Sequence, residues 1–437
     1  MVVTRLEPAG RERPDDPRGR GFRQRTSLRD VRALIEARVQ TLQPEVVPLR
    51  GAGGRVLAAG VVASAAVPPF DRAAMDGYAL RGEETFGSSS YSPSWFRVIG
   101  RSRPGARFCG QVGAAEAVEV TTGAPMPAGA DTVVPYEQAS GNDATLRVVA
   151  AFPPGRHVSR KGEDVAPGTV ILEAGRRLRP QDLGLLSGVG IAAVSVIRRP
   201  RVAILVTGGE LLPPGSPAVE DRIPDMNSVM LEALVIRDGG LPAVIGPVPD
   251  DPAVIGGALR SAIEASDAVL VSGGSSTGPE DHAPALVSEL GELPVHGLAL
   301  RPASPAGLGF VGHVPVVLLP GNPVSCLCAY DLIAGPIIRR LGGKPETWPY
   351  TSVERPLVVK LSSGLGRLDY VRVRLVGDGV EPIATGGASI LSSVTTADGF
   401  LLVPEDLEGY PAGTRVQVWL YDSSPLLIAA QGGPNWF

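Results

Sequence analysis

Apolar residues at Val31, Leu34, Ile35 and Val39 in SLRDVRALIEARVQTL recur at the spacing of one helical face, and Ser27 stands where a cap belongs. The spacing predicts a helix within residues 27–42. From about 55 to 150 the texture changes to short β-rich runs (RVLAAGVVASAAV, WFRVIG, AVEVTTG, DTVVPYE, TLRVVAAF) broken by Gly and Pro, which predicts a small β domain. Residues 151–195 are again extended and punctuated by Gly, with one short helical piece, PQDLGLLSGVG. Between 198 and 343 apolar runs alternate with helical segments: RVAILVTGGE, SVMLEALVIRDGG, LPAVIGPVPDD, VIGGALRSAIEASD, AVLVSGG and PVVLLPGNPVSC. Strands that are apolar throughout and separated by helices indicate a parallel sheet covered on both faces, hence an α/β domain. After KPETWPY the runs RPLVVKL, DYVRVRLV and RVQVWLY predict a C-terminal β domain over 350–437, closed as a barrel.

Length and composition fit this division. A chain of 437 residues exceeds the ~100–200 of one domain, and 44% hydrophobic with 20% charged residues suits folded globular domains. Forty-one basic against 45 acidic residues give a net charge of −4, so no global basic field announces nucleic acid or an anionic membrane. Three cysteines, Cys109, Cys326 and Cys328, cannot make a disulfide framework, which fits a reducing cytoplasm. Residues 1–25 are charged and rich in Pro, Gly and Arg, without the apolar core of a secretion signal, and read as a disordered tail. No run reaches the ~20 apolar residues of a membrane-spanning helix.

Ligands of parallel sheets bind beyond the carboxyl ends of the strands, which singles out three loops. VAILVTGGEL places Thr207, Gly208, Gly209 and Glu210 after its strand. AVLVSGGSSTGPED places Ser272, Gly273, Gly274, Ser276 and Asp281 after the next, and VVLLPGNPVSC places Pro320, Gly321, Asn322 and Ser325 after a third. Glycines there let backbone N–H groups approach an oxyanion. A lone Gly-Gly is explained as well by a tight turn, but three such loops on one sheet edge point to a phosphate-bearing ligand. The absence of G-x-x-x-x-G-K-[ST] and of a strand-bound G-x-G-x-x-G argues against a P-loop nucleotidase or a dinucleotide dehydrogenase. Carboxylates crowd the same loops: Glu210, Asp225, Asp250, Asp251, Glu280 and Asp281. Beside an anion they suit a bridging divalent cation, whereas Asp251, directly ahead of Pro252 and an apolar helix, reads as an N-cap.

In the β-rich half, PPFDRAAMDGYAL holds Asp71 and Asp76, and TTGAPMPAGADTVVPYEQ holds Thr121, Thr122, Asp131 and Glu137. Turn chemistry accounts for the Gly and Pro there, not for the paired Thr. GRHVSRKGEDVAPG reads as a solvated charged loop. His157, His282, His296 and His313 have no metal-ligand spacing, and no mechanism is built on them. Cys326 and Cys328, two apart on one helix, cannot share a face and read as buried packing.

Taken in order, FDRAAMDGYA, TTGAPMPAGADTVVPYE, RKGEDV, QDLGLLSGVG, VAILVTGGEL, VSGGSSTGPED and LLPGNPVS resemble the molybdopterin molybdenumtransferase family, the MoeA and gephyrin E-domain group, over about residues 27–435. The resemblance implies a multidomain α/β plus β fold. Its parts are a discontinuous elongated domain (26–54 and 151–197), an inserted β domain (55–150), a molybdopterin-binding α/β domain (198–343) and a C-terminal β barrel. It implies a homodimer that takes adenylylated molybdopterin and molybdate, uses Mg2+ or another divalent cation, inserts molybdenum and releases AMP. A molybdopterin adenylyltransferase and molybdoenzyme apoproteins are the partners it suggests, with neither nucleic acid nor membrane. By the same resemblance, Asp76, Thr122, Glu210, Asp250 and Asp281 are catalytic, with Glu210, Asp250 and Asp281 on the metal. Thr207, Gly208, Asp225, Asn227, Ser272, Gly273, Gly274, Ser276, Arg301, Ser304, Pro320, Gly321, Asn322 and Ser325 bind the cofactor precursor.

Three departures from the family pattern concern charge and loop shape. TGGEL stands for Thr-Gly-Asp-Glu-Leu, so Gly209 replaces a carboxylate, and SGGSSTGPED stands for Ser-Gly-Gly-Val-Ser-Val-Gly-Asp/Glu-x-Asp. RPASP stands for Lys-Pro-Gly-Lys-Pro, with Arg301 and Ser304 in place of the two lysines. Loss of one phosphate-side cation weakens binding by ~1–3 kcal/mol where nothing compensates. Two alternatives therefore stay open: a molybdopterin adenylyltransferase, whose Gly-Pro-x-Asp loop GGSSTGPEDHAP resembles, and a catalytically degenerate molybdopterin-binding scaffold.

Overall fold

The structure, a computed structural model, describes residues 22, 25–142, 144–276, 278, 281–384 and 387–422. The expected tail therefore lies outside the described residues except for Phe22 and Arg25, as do Thr277, Pro279, Glu280 and the last 15 positions of the C-terminal domain, 423–437. The chain forms two compact units, one from Met1–Gln43 with Ile197–Phe437 and the other from Pro44–Val196.

In the first unit the helix α1 (Leu28–Arg38) starts where Ser27 accepts a hydrogen bond from the Asp30 N–H. Its Val31 and Ile35 are fully buried and join a core with Val202, Ile204, Ile337 and Ile338. The helix expected to open the elongated domain thus packs on the α/β layer instead. Its apolar stripe required a partner, and local pattern could not name one roughly 170 residues away.

The α/β layer is a six-stranded sheet of β1 (Arg201–Thr207), β2 (Leu241–Val248), β3 (Ala268–Ser272), β4 (Glu292–His296), β5 (Gly307–Val311) and β6 (Val314–Leu319), in the order β2-β1-β3-β6-β5-β4. The first four strands in that order are parallel; β5 and β4 extend the edge antiparallel, so the sheet is mixed rather than wholly parallel. Along β1, Val202, Ile204 and Val206 face one core, while Ala203 and Leu205 face another; β3 and β6 alternate likewise. Alternation with both faces covered is why these strands read as unbroken apolar runs. One face carries α2 (Asn227–Asp238) and α5 (Pro323–Ala329), the other α3 (Pro252–Ala265) and α4 (Ala283–Leu290). Asp251 caps α3 through Oδ1, which accepts from the Ala253 and Val254 N–H groups at 2.8 and 3.0 Å. Cys326 and Cys328 are fully buried, and burial pushes both thiols up.

In the C-terminal part, strands Leu368–Val376, Gly399–Val403, Arg415–Leu420 and Thr351–Pro356 follow one another side by side, and Gly379–Ala384 flanks the first. A bridge from Leu357 to Val380 joins the two ends, so the sheet closes around Val371, Val373, Leu401 and Val418.

The second unit has a six-stranded sheet ordered Thr132–Pro135, Gly77–Leu80, Glu116–Val120, Ser94–Ser102, Thr145–Val148, Ala139–Gly141. Residues 56–62, expected within the inserted domain, pair instead with 170–177 and 196. Their short apolar runs have the texture of the inserted strands, but their partners lie more than 100 positions on. The helix Pro180–Gly188 packs Leu186 against Leu57, Leu172 and Val196. Among the described residues no helix is long and apolar enough to cross a membrane.

Candidate active site

From β1 the chain runs to β2 on one side and then to β3 on the other, so the crevice lies beyond the carboxyl ends of β1 and β3. Register aligns those ends: Thr207 lies opposite Val248, Val206 opposite Ser272, and Ser272 opposite Leu319. The loops that follow enclose a cleft of about 630 Å³. Thr207, Gly208, Glu210, Asp225, Asn227, Asp250, Ser272, Gly273, Gly274, Ser276, Asp281, Pro320, Gly321 and Asn322 all line it.

Asn227 ties the loops together. Its Nδ2 donates to Ser272 Oγ at 2.9 Å and to the Gly321 carbonyl at 2.8 Å, linking the start of α2 to the ends of β3 and β6. Asp225 Oδ1 accepts from the Asn227 and Ser228 N–H groups at 2.9 and 3.2 Å and so caps α2. Three buried atoms of cleft residues, Thr207 Oγ1, Asp225 Oδ2 and Asn227 Oδ1, have no hydrogen-bond partner within the described protein. Buried polar atoms are nearly always paired, so an unpaired trio in one cleft calls for a ligand with donors to offer.

The glycine loop is more specific than a cradle of two glycines. Gly273 has φ of 94°, and a Cβ there would stand 2.3 Å from the Thr207 carbonyl oxygen, so only glycine fits against β1. Its N–H is already given to the Leu319 carbonyl at 3.2 Å. The N–H groups of Gly274, Ser275 and Ser276 have no acceptor among the described residues, and these are the donors the loop offers. Gly273 thus serves shape, and the next three residues serve the anion.

The three carboxylates lie on separate loops. Asp250 Oδ2 accepts from the Gly209 N–H at 2.8 Å and Asp281 Oδ2 from the Gly278 N–H at 2.6 Å, while Glu210 is exposed at the rim. Among the described residues no three His, Cys, Asp or Glu groups come together as a metal centre, so these carboxylates do not form a closed cage. Their all-oxygen donor chemistry does fit a hard cation that takes one or two carboxylates and completes its shell with ligand phosphate and water, as magnesium does.

Other expected residues fall elsewhere. Arg301 and Ser304 do not line the cleft: Arg301 pairs with the fully buried Asp369, and Ser304 Oγ donates to the Leu298 carbonyl at 3.1 Å. A buried carboxylate requires a counter-cation, which accounts for the direction Arg301 takes. Ser325 is buried in α5 and is not part of the wall. In the other unit, Asp76 Oδ1 accepts from both the N–H and the hydroxyl of Thr122, at 2.6 and 2.9 Å. The Thr122 backbone bond, then its hydroxyl, holds the Asp76 carboxyl below the usual carboxylate range. Sequence reasoning missed Pro305, Met226 and Ser389 in the cleft wall. Ser389 comes from the C-terminal part, where its Oγ donates to Asn322 Oδ1 at 2.9 Å and the Ala388 carbonyl accepts from the Val324 N–H at 3.0 Å. Only the presence of Ser in a Gly-rich loop, GGASIL, signalled it.

Comparison with known proteins covers about nine-tenths of the chain. Residues 26–190 match the MoeA N-terminal region (domain I and II), 203–340 a probable molybdopterin binding domain, and 354–421 the MoeA C-terminal region (domain IV). The chain is 34% identical over 406 residues to molybdopterin molybdenumtransferase 2 of Mycobacterium tuberculosis, covering 90% of this chain and 99% of that one. It is 30% identical over 415 residues to molybdopterin molybdenumtransferase of Bacillus subtilis, covering 90% and 92%. A solved molybdopterin biosynthesis MoeA protein from Pyrococcus horikoshii superposes with a TM-score of 0.75 at 32% identity, covering 91% of this chain and 100% of that one.

Proposed function

Because the chain belongs to the MoeA family of molybdopterin molybdenumtransferases, we propose that it inserts molybdenum from molybdate into adenylylated molybdopterin, releasing AMP, as a step of molybdenum cofactor biosynthesis. The observation that carries this reading is the cleft in which unpaired N–H donors, unpaired buried acceptors and carboxylates converge from the loops after β1, β2 and β3. In it, the N–H groups of Gly274, Ser275 and Ser276 bind the phosphate side of the adenylate. Asp225 Oδ2 and Asn227 Oδ1 accept from the ring N–H groups of the pterin, which orients the precursor. One or two of Glu210, Asp250 and Asp281 would hold a divalent cation, with phosphate and water completing its shell; its charge would offset the phosphate and polarise the bond to AMP. Asp76, ionised and fixed by Thr122, is supplied by the second copy of a homodimer in this reading. The protein would work in the cytoplasm, receiving its substrate from a molybdopterin adenylyltransferase and passing the product to molybdoenzyme apoproteins.

The test is release of AMP from adenylylated molybdopterin by the purified protein with magnesium and molybdate. AMP and a product that activates a molybdoenzyme apoprotein are expected. Formation of adenylylated molybdopterin from ATP instead would assign the adenylyltransferase reaction. Tight binding without turnover, relieved by Gly209→Asp with Ser304→Lys, would make the chain a degenerate relative.

A further inference from the structure

We infer that His296 is a positioning residue for the anion-binding loop, and that it aims the Ser276 N–H by holding the peptide carbonyl of Ser275. His296 ends β4, and its Nε2 lies 3.0 Å from the Ser275 carbonyl oxygen. The acceptor is a carbonyl, so Nε2 carries the proton and donates. In a planar trans peptide the carbonyl oxygen and the following N–H point in opposite directions. A Ser275 carbonyl turned to His296 therefore sends the Ser276 N–H the other way. Ser275 and Ser276 line the cleft and His296 does not, so the carbonyl is held on the side away from the ligand.

Neighbouring residues hold the imidazole in turn. The ring of Phe22 stands edge-on to it, with centroids 5.0 Å apart and planes at 88°. A Cβ on Gly297 would fall 2.4 Å from the Phe22 ring, so glycine makes the space in which Phe22 sits. Thr26 fastens the same segment, donating its N–H to the Gly297 carbonyl and accepting from the Ala299 N–H, both at 2.9 Å. Ser275 is only 2% exposed, so water does not readily replace the imidazole on its carbonyl. Loss of that donor leaves the peptide free to turn over and present an oxygen, instead of an N–H, to an anion.

This inference rests on the anion-binding reading of the cleft but not on turnover. Its test is calorimetric binding of AMP and of adenosine to the full-length protein and to two variants. His296→Phe keeps a flat ring against Phe22 and removes the donor; His296→Gln keeps an N–H at similar reach. His296→Phe is expected to weaken AMP binding about tenfold or more, the worth of one charge-assisted hydrogen bond, and to leave adenosine binding within about twofold. His296→Gln is expected to regain most of the AMP affinity. Equal losses for AMP and adenosine would show a general structural role and overturn the inference, as would unchanged AMP binding in His296→Phe. If His296→Phe does not fold, a folded His296→Gln that no longer prefers AMP to adenosine overturns it, and one that does sustains it. Wild-type protein that prefers AMP yet releases none from adenylylated molybdopterin would sink the proposed reaction and leave this inference standing.

Discussion

Asn227→Ala is the most direct probe of how the cleft is held. The substitution removes two hydrogen bonds, at 2.9 Å to Ser272 Oγ and 2.8 Å to the Gly321 carbonyl. Each is worth ~0.5–1.5 kcal/mol net, and a buried partner left unpaired adds to that. Ser272 is 2% exposed and suffers the full loss, whereas Gly321 is exposed and water can replace its donor. The sum is about 2–3 kcal/mol, which corresponds to roughly 3–5 °C in the unfolding midpoint of a unit this large. Differential scanning calorimetry reads the shift, and AMP titration reads the cleft. Both should fall, because the residue that is lost joins the start of α2 to the ends of β3 and β6. Asn227→Asp preserves the shape but sets a carboxylate oxygen against the Gly321 carbonyl, and should do at least as much damage. A midpoint within about 1 °C of wild type, with unchanged AMP affinity, would refute the claim that Asn227 ties the three loops together.

Two further outcomes follow from local geometry. Gly273→Ala should lose about 2–4 kcal/mol in urea unfolding with unchanged m, since it combines a left-handed φ of 94° with a methyl 2.3 Å from the Thr207 carbonyl. Gly257→Ala, in mid-α3 with open space around its Cβ, should instead gain about 0.5–1 kcal/mol. In the other unit, the Arg176 and then the Arg179 guanidinium hold the Asp182 carboxyl well below the usual carboxylate range. A depressed folded pKa gives stability that is present above the unfolded value near ~4 and lost as pH falls through the folded one, so Asp182→Asn should flatten the acid limb of the stability profile below about pH 4. An acid limb identical to wild type would show that the pair contributes nothing there.

The middle of the α/β layer was legible because β1, β3 and β6 declare themselves locally: an apolar run buried on two faces, then a polar, Gly-bearing loop. The edge strands β4 and β5 carry no such run and were not legible. The loops alone gave most of the cleft wall, from Thr207 to Asn322, since ligand sites lie beyond strand ends whatever the ligand is. What escaped was everything decided by distant pairing. The helix at Leu28–Arg38 shows its stripe but not its partner, and residues 56–62 show β texture but not that Val170 and Leu172 receive them. Arg301 matched a cation position by motif, yet a carboxylate 68 residues later, buried without exposure, claims it.

The same distinction separates what a glycine motif says from what it does. SGGSS marks a close approach of backbone to something, and the structure divides that meaning among its residues. Gly273 approaches β1, not the ligand: its N–H is taken by Leu319 and its missing Cβ makes room for the Thr207 carbonyl. The donors available to an anion begin one residue later, at Gly274, and continue through Ser275, which stands in place of the family's Val. A loop whose binding atoms are all backbone tolerates such side-chain changes as long as its peptides keep their orientation. That orientation is set in part from outside the loop, at Leu319 and His296, so ligand binding in this reading depends on residues that no reading of the ten-residue motif can contain.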